Sequence, residues 1–137
     1  MSRKLLFVKG MLVCLFCDKH FAGTPKEKPQ ELVEAKLLTI CFDLCRRSAL
    51  DLLAEALTRF ARPEIGRSVL SAYNEFLTTM NDGAKRQALK KLAIGETSDA
   101  LFKEERDNTR AFRDGLETLF FDSDKKLSEL TRRYGVF

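Results

Sequence analysis

A chain of 137 residues, 45% hydrophobic and 32% charged, has the size of one ordinary domain and can hold a core without disulfide or metal staples. That apolar fraction excludes a disordered chain, and seven glycines with three prolines argue against a loop-rich fold. The formal net charge of +4 permits an anionic partner without demanding one, because solubility alone accounts for such a value.

Residues 1–22 form an apolar N-terminal segment. Leu5, Leu6, Phe7, Val8, Met11, Leu12, Val13, Leu15 and Phe16 suit a buried helix, although the β-branched and aromatic content leaves a short hairpin around residues 14–17 open. Arg3 and Lys4 ahead of an apolar stretch imitate a secretory leader. Lys9 and Gly10 interrupt that stretch, however, and His20 and Phe21 stand where small cleavage-site residues belong. No run approaches the roughly 20 apolar residues of a membrane span. The expectation is an intracellular, cytoplasmic protein with reduced thiols, the nucleus remaining open. Residues 23–29, with two prolines and two lysines, read as a linker, and residues 30–137 as the helical body.

Pro29 suits a first helical position. Beyond it Lys36, Thr39, Asp43, Arg47, Asp51, Glu55, Arg59 and Arg62 recur every three or four residues and form one polar stripe. Opposite charges four apart, as in Asp43 with Arg47, Arg47 with Asp51 and Glu55 with Arg59, favour a helix. The unbroken phase predicts one long helix over residues 31–62, about 45 Å at 1.5 Å per residue. Its first half, apolar except for the stripe, is expected to be the most enclosed part of the domain.

Pro63 stops that helix and opens the next, whose apolar face is Ile65, Val69, Leu70, Tyr73, Phe76, Leu77 and Met80. Asn81-Asp82-Gly83 is a turn signal. A short basic helix over residues 84–94 ends at Gly95, and Thr97 or Ser98 caps a helix reaching about Phe121. In that helix Leu101 and Phe102 begin an apolar stripe that Phe112, Leu116, Leu119 and Phe120 finish. Glu105 and Asn108 or Thr109 fall between them on the core side, so the helix either kinks there or projects. Asp122 or Ser123 caps a last helix with Leu127, Leu130 and Tyr134 inward and Arg132, Arg133 and Gly135 at its end. The predicted fold is all-α: a compact bundle of six to seven helices around the long central helix.

Three constellations bear on chemistry. Cys14, Cys17, Cys41 and Cys45 include a C-x2-C pair and a pair one helical turn apart, and zinc takes four such ligands in a tetrahedron. Residues 13–21 resemble the opening knuckle of a zinc finger. The loop before the second pair is longer than in that family, and no histidine pair follows; His20 is an alternative ligand. Small apolar residues on helix faces are the simpler account, so no cofactor is expected and zinc is the alternative. Lys103, Arg106, Arg110 and Arg113 share one helical face, and Lys85, Arg86, Lys90 and Lys91 form a second basic group. Without aromatic stacking motifs, charge alone is an unspecific signal for RNA. A lone histidine, His20, three residues from Cys17, makes no triad, and the carboxylate pairs lie at helix starts and surfaces, so no enzyme is expected.

By elimination the expected work is binding, by a small regulatory or adaptor protein that meets a protein partner through a helical surface. Lys103, Arg106, Arg110, Arg113 and an exposed Phe121 are the nominated contacts, since Phe120 and Phe121 cannot both face inward; Phe137 is a further exposed aromatic. Self-association through the apolar N-terminal segment is a second expectation. The competing reading is nucleic-acid binding through Lys85, Arg86, Lys90, Lys91, Arg106 and Arg110.

Overall fold

The computed structural model describes residues 2–21, 30–93 and 95–135. Seven helices follow one another: α1 (Ser2–Phe21), α2 (Gln30–Arg46), α3 (Ala49–Phe60), α4 (Pro63–Asn81), α5 (Gly83–Lys91), α6 (Ala100–Asp122) and α7 (Lys125–Tyr134). No strand occurs among the described residues, and the helices pack on one another as an all-α bundle, as expected. The expected linker at 23–29, and Pro29, Ile94 and Phe137, lie outside the described residues.

The N-terminal segment is a helix, not a hairpin, and it is the enclosed element. Leu5, Val8, Leu12, Val13, Leu15 and Phe16 of α1 are all buried, against α2, α3 and α7. Each fully buried leucine contributes about 1.5–3 kcal/mol by leaving water. At the C-terminal end of α1, Phe16 meets Phe60 of α3 with ring centroids 6.3 Å apart. Lys19 lies 3.8 Å over the Phe60 ring and reaches Asp124 at 3.1 Å, so one side chain joins α1, α3 and the start of α7.

The long central helix over residues 31–62 is two helices. α2 ends at Arg46 and α3 begins at Ala49, with Ser48 extended (φ −66°, ψ 153°) and its Oγ accepting from the Asp51 amide at 3.0 Å. The corner satisfies the ends it creates: Lys9 Nζ donates to the free Cys45 carbonyl at 2.8 Å, a cation at a helix C-terminus. Arg47 pairs across the corner with Glu55 at 2.6 Å, and Glu55 also holds Arg59 at 2.8 Å. The polar stripe is real, with Lys36, Thr39, Asp43, Asp51, Arg59 and Arg62 all exposed. A stripe records which residues face water, and water lies outside both arms of a corner. The expected enclosure of the first half is also corrected. Leu37, Leu38 and Phe42 of α2 are exposed, Phe42 to 71%, whereas Leu52, Leu53, Ala56 and Leu57 of α3 are buried.

The other half of the core is the crossing of α4 with α6. Val69 and Ala72 meet Phe112, Gly115, Leu116, Leu119 and Phe120, and Tyr73 lies 5.9 Å from the Phe112 ring. Gly115 permits the close approach: a Cβ there would collide with Val69 Cγ2. α6 runs as one continuous helix through Glu105, whose side chain turns to α4. Its Oε1 accepts a 2.6 Å hydrogen bond from Thr79 Oγ1, and Thr79 is a buried polar residue of α4. Of the polar positions that interrupt the apolar stripe, Glu105 is therefore met by a polar partner.

Helix starts fall slightly later than expected. Asp99, not Thr97 or Ser98, caps α6 by accepting from Phe102 N, and Asp124, not Asp122 or Ser123, caps α7 by accepting from Leu127 N, each at 2.9 Å. Asp82 ends α4 and caps α5 through Ala84 N and Lys85 N. α5 stops at Lys91, before the expected Gly95, and Gly95 adopts a positive φ of 92° in the connection that carries the chain to α6.

Candidate functional site

The residues nominated on α6 are partly brought together. Arg106, Arg110 and Arg113 line one wall of a groove of about 730 Å³ between α6 and the α5–α6 connection. Leu89, Leu92 and Phe102 supply its apolar lining, and Thr109, Glu105, Glu96 and Thr97 are its polar neighbours. The helix period places these arginines on one side, and the short α5 with its extended exit past Leu92 forms the opposite wall. Lys103 is exposed on α6 but does not line the groove.

Phe121 corrects the nomination. It is half-buried, packed against the core, and lines a separate concavity with Asp114, Glu117, Thr118 and Asp122. Its neighbour Phe120 is fully buried, so the adjacent pair is divided between the centre and the edge of the core.

Electrostatics within the arginine wall are uneven. Arg106 and Arg110 share Asp107 at 3.5 and 3.6 Å, distances of weak and exchangeable ion pairs. Arg113 is held more firmly, donating from Nε and Nη2 to Asp114 at 3.0 and 2.8 Å; this hydrogen bond, then the charges of Asp114 and Glu117, push the guanidinium above its ordinary range. Glu105 is engaged by Thr79, and Glu96 accepts from Ala93 N at 3.4 Å. Arg106 stands apart. Its Nε is shut off from solvent and has the 3.5 Å ion pair with Asp107 Oδ1 in place of a hydrogen bond, although its side chain as a whole is 38% exposed.

The second basic group does not join this surface. Lys85 is half-buried, Arg86 donates to the Met80 carbonyl at 3.3 Å, and Lys90 and Lys91 are exposed; none of the four lines the groove. α5 presents Leu89 there instead.

The four cysteines are free thiols, and two helices bring them together. Cys17 and Cys41 are half-buried at the edge of the core between α1 and α2, and Cys14 and Cys45 are exposed beside them. Cys17 and Cys41 both pack against the core cluster. Burial first, then Cys41, Cys14 and Cys45, push the Cys17 thiol up to about 11. The Cys45 thiol is raised as well, by desolvation and by its bond with Cys41, against the pull of Lys9. Among the described residues no group of three or more histidine, cysteine, aspartate or glutamate side chains stands at metal-holding spacing. His20 is exposed in the last turn of α1.

Sequence reasoning missed the apolar wall contributed by Leu89, Leu92 and Phe102. The signal available to it was the polar gap at Glu105 and Thr109, which borders this groove. Among the described residues no helix is long and apolar enough to cross a membrane. No protein family matches the chain, and no curated protein or solved structure matches it either.

Proposed function

We propose that this is a non-catalytic binding protein, of the regulatory or adaptor kind, that receives an acidic amphipathic helix of a protein partner in the groove beside α6. The observation that carries the reading is one groove that sets an apolar lining beside Arg106 and Arg110, whose ion pairs with Asp107 are long and weak. Leu89, Leu92 and Phe102 supply the apolar contact that an amphipathic helix needs, and Arg110 the flanking charge. The weak pairs with Asp107 exchange readily for a carboxylate brought by the partner.

A displayed library of helical peptides tests this on the full chain. Selected ligands are expected to carry apolar residues at i, i+3 or i+4 and i+7, flanked by Asp or Glu. Arg106→Glu with Arg110→Glu is expected to weaken them about tenfold or more, near 1.4 kcal/mol, with helical circular dichroism unchanged. A library without binders, or binders indifferent to the charge reversal, defeats the proposal. Tight RNA binding with a steep salt slope, reduced by reversing Lys90 and Lys91, replaces it with the nucleic-acid reading. Self-association is assigned to the exposed Leu37, Leu38 and Phe42 of α2 and is read by sedimentation over a concentration series.

A further inference from the structure

We infer that the pocket between the first two turns of α1 and the second half of α6 binds a single-chain anionic amphiphile, of the class of medium-chain fatty carboxylates. α1 packs chiefly on α3 and α2, and α6 on α4 and α7, which leaves space where the start of α1 meets α6. The pocket that results has a volume of about 290 Å³. Val8 and Leu116, both buried, line it together with Phe7, and Arg3, Lys4 and Arg113 supply its positive charge. The helix period arranges these residues. On α1, Arg3 stands one turn before Phe7 and Lys4 one turn before Val8; on α6, Arg113 stands one turn before Leu116. Each helix therefore sets a cation beside an apolar side chain on one face, and a ligand with an anionic head and an apolar tail matches both. The pocket shares only Arg113 with the groove beside α6, so the inference does not depend on a partner helix there.

The sign of the head group follows from three cations set against one carboxylate, Glu117. Arg113 is already compensated, by Asp114 at 2.8 Å and by Glu117 at 3.5 Å. Arg3 and Lys4 carry the excess charge: both are exposed, and among the described residues neither enters an ion pair. They also occupy the first turn of α1, the positive end of the helix dipole, where carboxylates are the favoured residues and none is present. Two cations there repel the dipole and each other, and an anion relieves both repulsions. The size of the tail follows from the volume, which lies at the small end of ligand pockets. At roughly 30 Å³ per non-hydrogen atom, the share of one water molecule in the liquid, the pocket takes a chain of about ten carbons. Each methylene it removes from water strengthens binding about fourfold.

Calorimetric titration of the full chain with decanoate, kept below its micelle-forming concentration, tests this. One decanoate per chain is expected, with decanol at least about tenfold weaker and decyltrimethylammonium weaker still. Octanoate should bind about fifteenfold less tightly than decanoate, and dodecanoate little more tightly, because the pocket is then full. Arg3→Glu with Lys4→Glu is expected to weaken decanoate about tenfold or more and to leave decanol unchanged. Both residues are exposed, and circular dichroism establishes that the variant keeps its helices. Arg67→Glu with Lys125→Glu reverses as much charge at exposed positions that line neither the pocket nor the groove, and should leave decanoate binding as it was. The inference is overturned by the absence of saturable decanoate binding, by equal affinities for decanoate, decanol and decyltrimethylammonium, or by both charge reversals weakening decanoate alike. It is equally overturned by affinity that keeps climbing with chain length, or by binding to phosphatidylglycerol vesicles without binding to monomeric decanoate, which makes this end of α1 a lipid-surface contact instead. No helical peptide is present in these titrations, so their failure and the failure of the groove beside α6 are read separately.

Discussion

Replacing Gly115 by alanine puts a single methyl group into the tightest point of the fold. Two opposing effects decide the result. Alanine is favoured over glycine inside a helix by about 1 kcal/mol, and Gly115 lies well inside α6. Against this, the new Cβ would overlap Val69 Cγ2 and stand 3.7 Å from Val69 Cβ and 3.9 Å from Ile65 Cγ2. Val69 cannot step aside: it is fully buried, and a valine in a helix has essentially one rotamer. Overpacking of this kind costs about 1–3 kcal/mol, and a stiff, enclosed neighbour sets it at the upper end. Gly115→Ala is therefore expected to lose about 1–2 kcal/mol net, a fall of roughly 4–8 °C in melting temperature. Urea denaturation of four chains measures it: the parent, Gly115→Ala, Val69→Ala, and both together. With Val69 trimmed, the added methyl fills vacated space, so Gly115→Ala should become stabilising in that background. The coupling energy should reach about 2 kcal/mol. A neutral or stabilising Gly115→Ala in the parent, or additive single effects, refutes the close crossing of α4 and α6.

Two further outcomes follow from buried or half-buried polar contacts. Thr79→Val removes the donor to Glu105 and is expected to cost about 1.5–3 kcal/mol, the range for a hydrogen bond to a charged group. Thr79→Val with Glu105→Leu should recover most of this, because removing both partners leaves nothing unsatisfied; a double variant as weak as the sum of the singles contradicts the pairing. Asp124→Ala removes the α7 cap and the Lys19 ion pair together, about 1–2 kcal/mol at neutral pH after allowance for solvent screening. Desolvation raises the Asp124 pKa, but the Leu127 amide, the bond and charge of Lys19 and the Lys126 amide together outweigh it and hold the pKa below the usual carboxylate value. A lowered folded pKa contributes stability that is complete above the unfolded value near about 3.9 and is lost as pH falls through the folded value. The gap between the parent and Asp124→Ala in chemical denaturation should accordingly narrow below about pH 4; a gap independent of pH rejects this role for the carboxylate.

What the sequence made legible follows a physical division. Patterns set by water were readable in part: the polar stripe, the apolar face of α6 from Phe112 to Phe120, Val69 of α4, Leu127 of α7, and the breaks at Pro63 and at Asn81-Asp82-Gly83 stand as expected, whereas Leu70 and Leu77 of α4 and Tyr134 of α7, expected inward, are exposed because no helix covers that edge of their faces. The corner at Ser48 was not, because a polar stripe keeps its phase when a helix bends around a core with its outer side still wet. Serine there reads equally as a helical surface residue and as a cap until Asp51 N is seen to donate to it. Enclosure was misassigned for a related reason. α1 and the first half of α2 are both apolar nearly all round, and periodicity cannot rank two such segments. The ranking came from neighbours: α1 is packed by three helices, α2 chiefly by α1. Contacts between distant positions were the least readable. Thr79 and Glu105 are ordinary surface or core residues in isolation, and become a satisfied polar pair only when two helices are laid side by side. For the groove beside α6 the same holds. Four evenly spaced cations announced a charged face, but charge along one helix carries no information about depth. Depth comes from Leu89 and Leu92 across the gap, which turn one side of a charged helix into the wall of a groove.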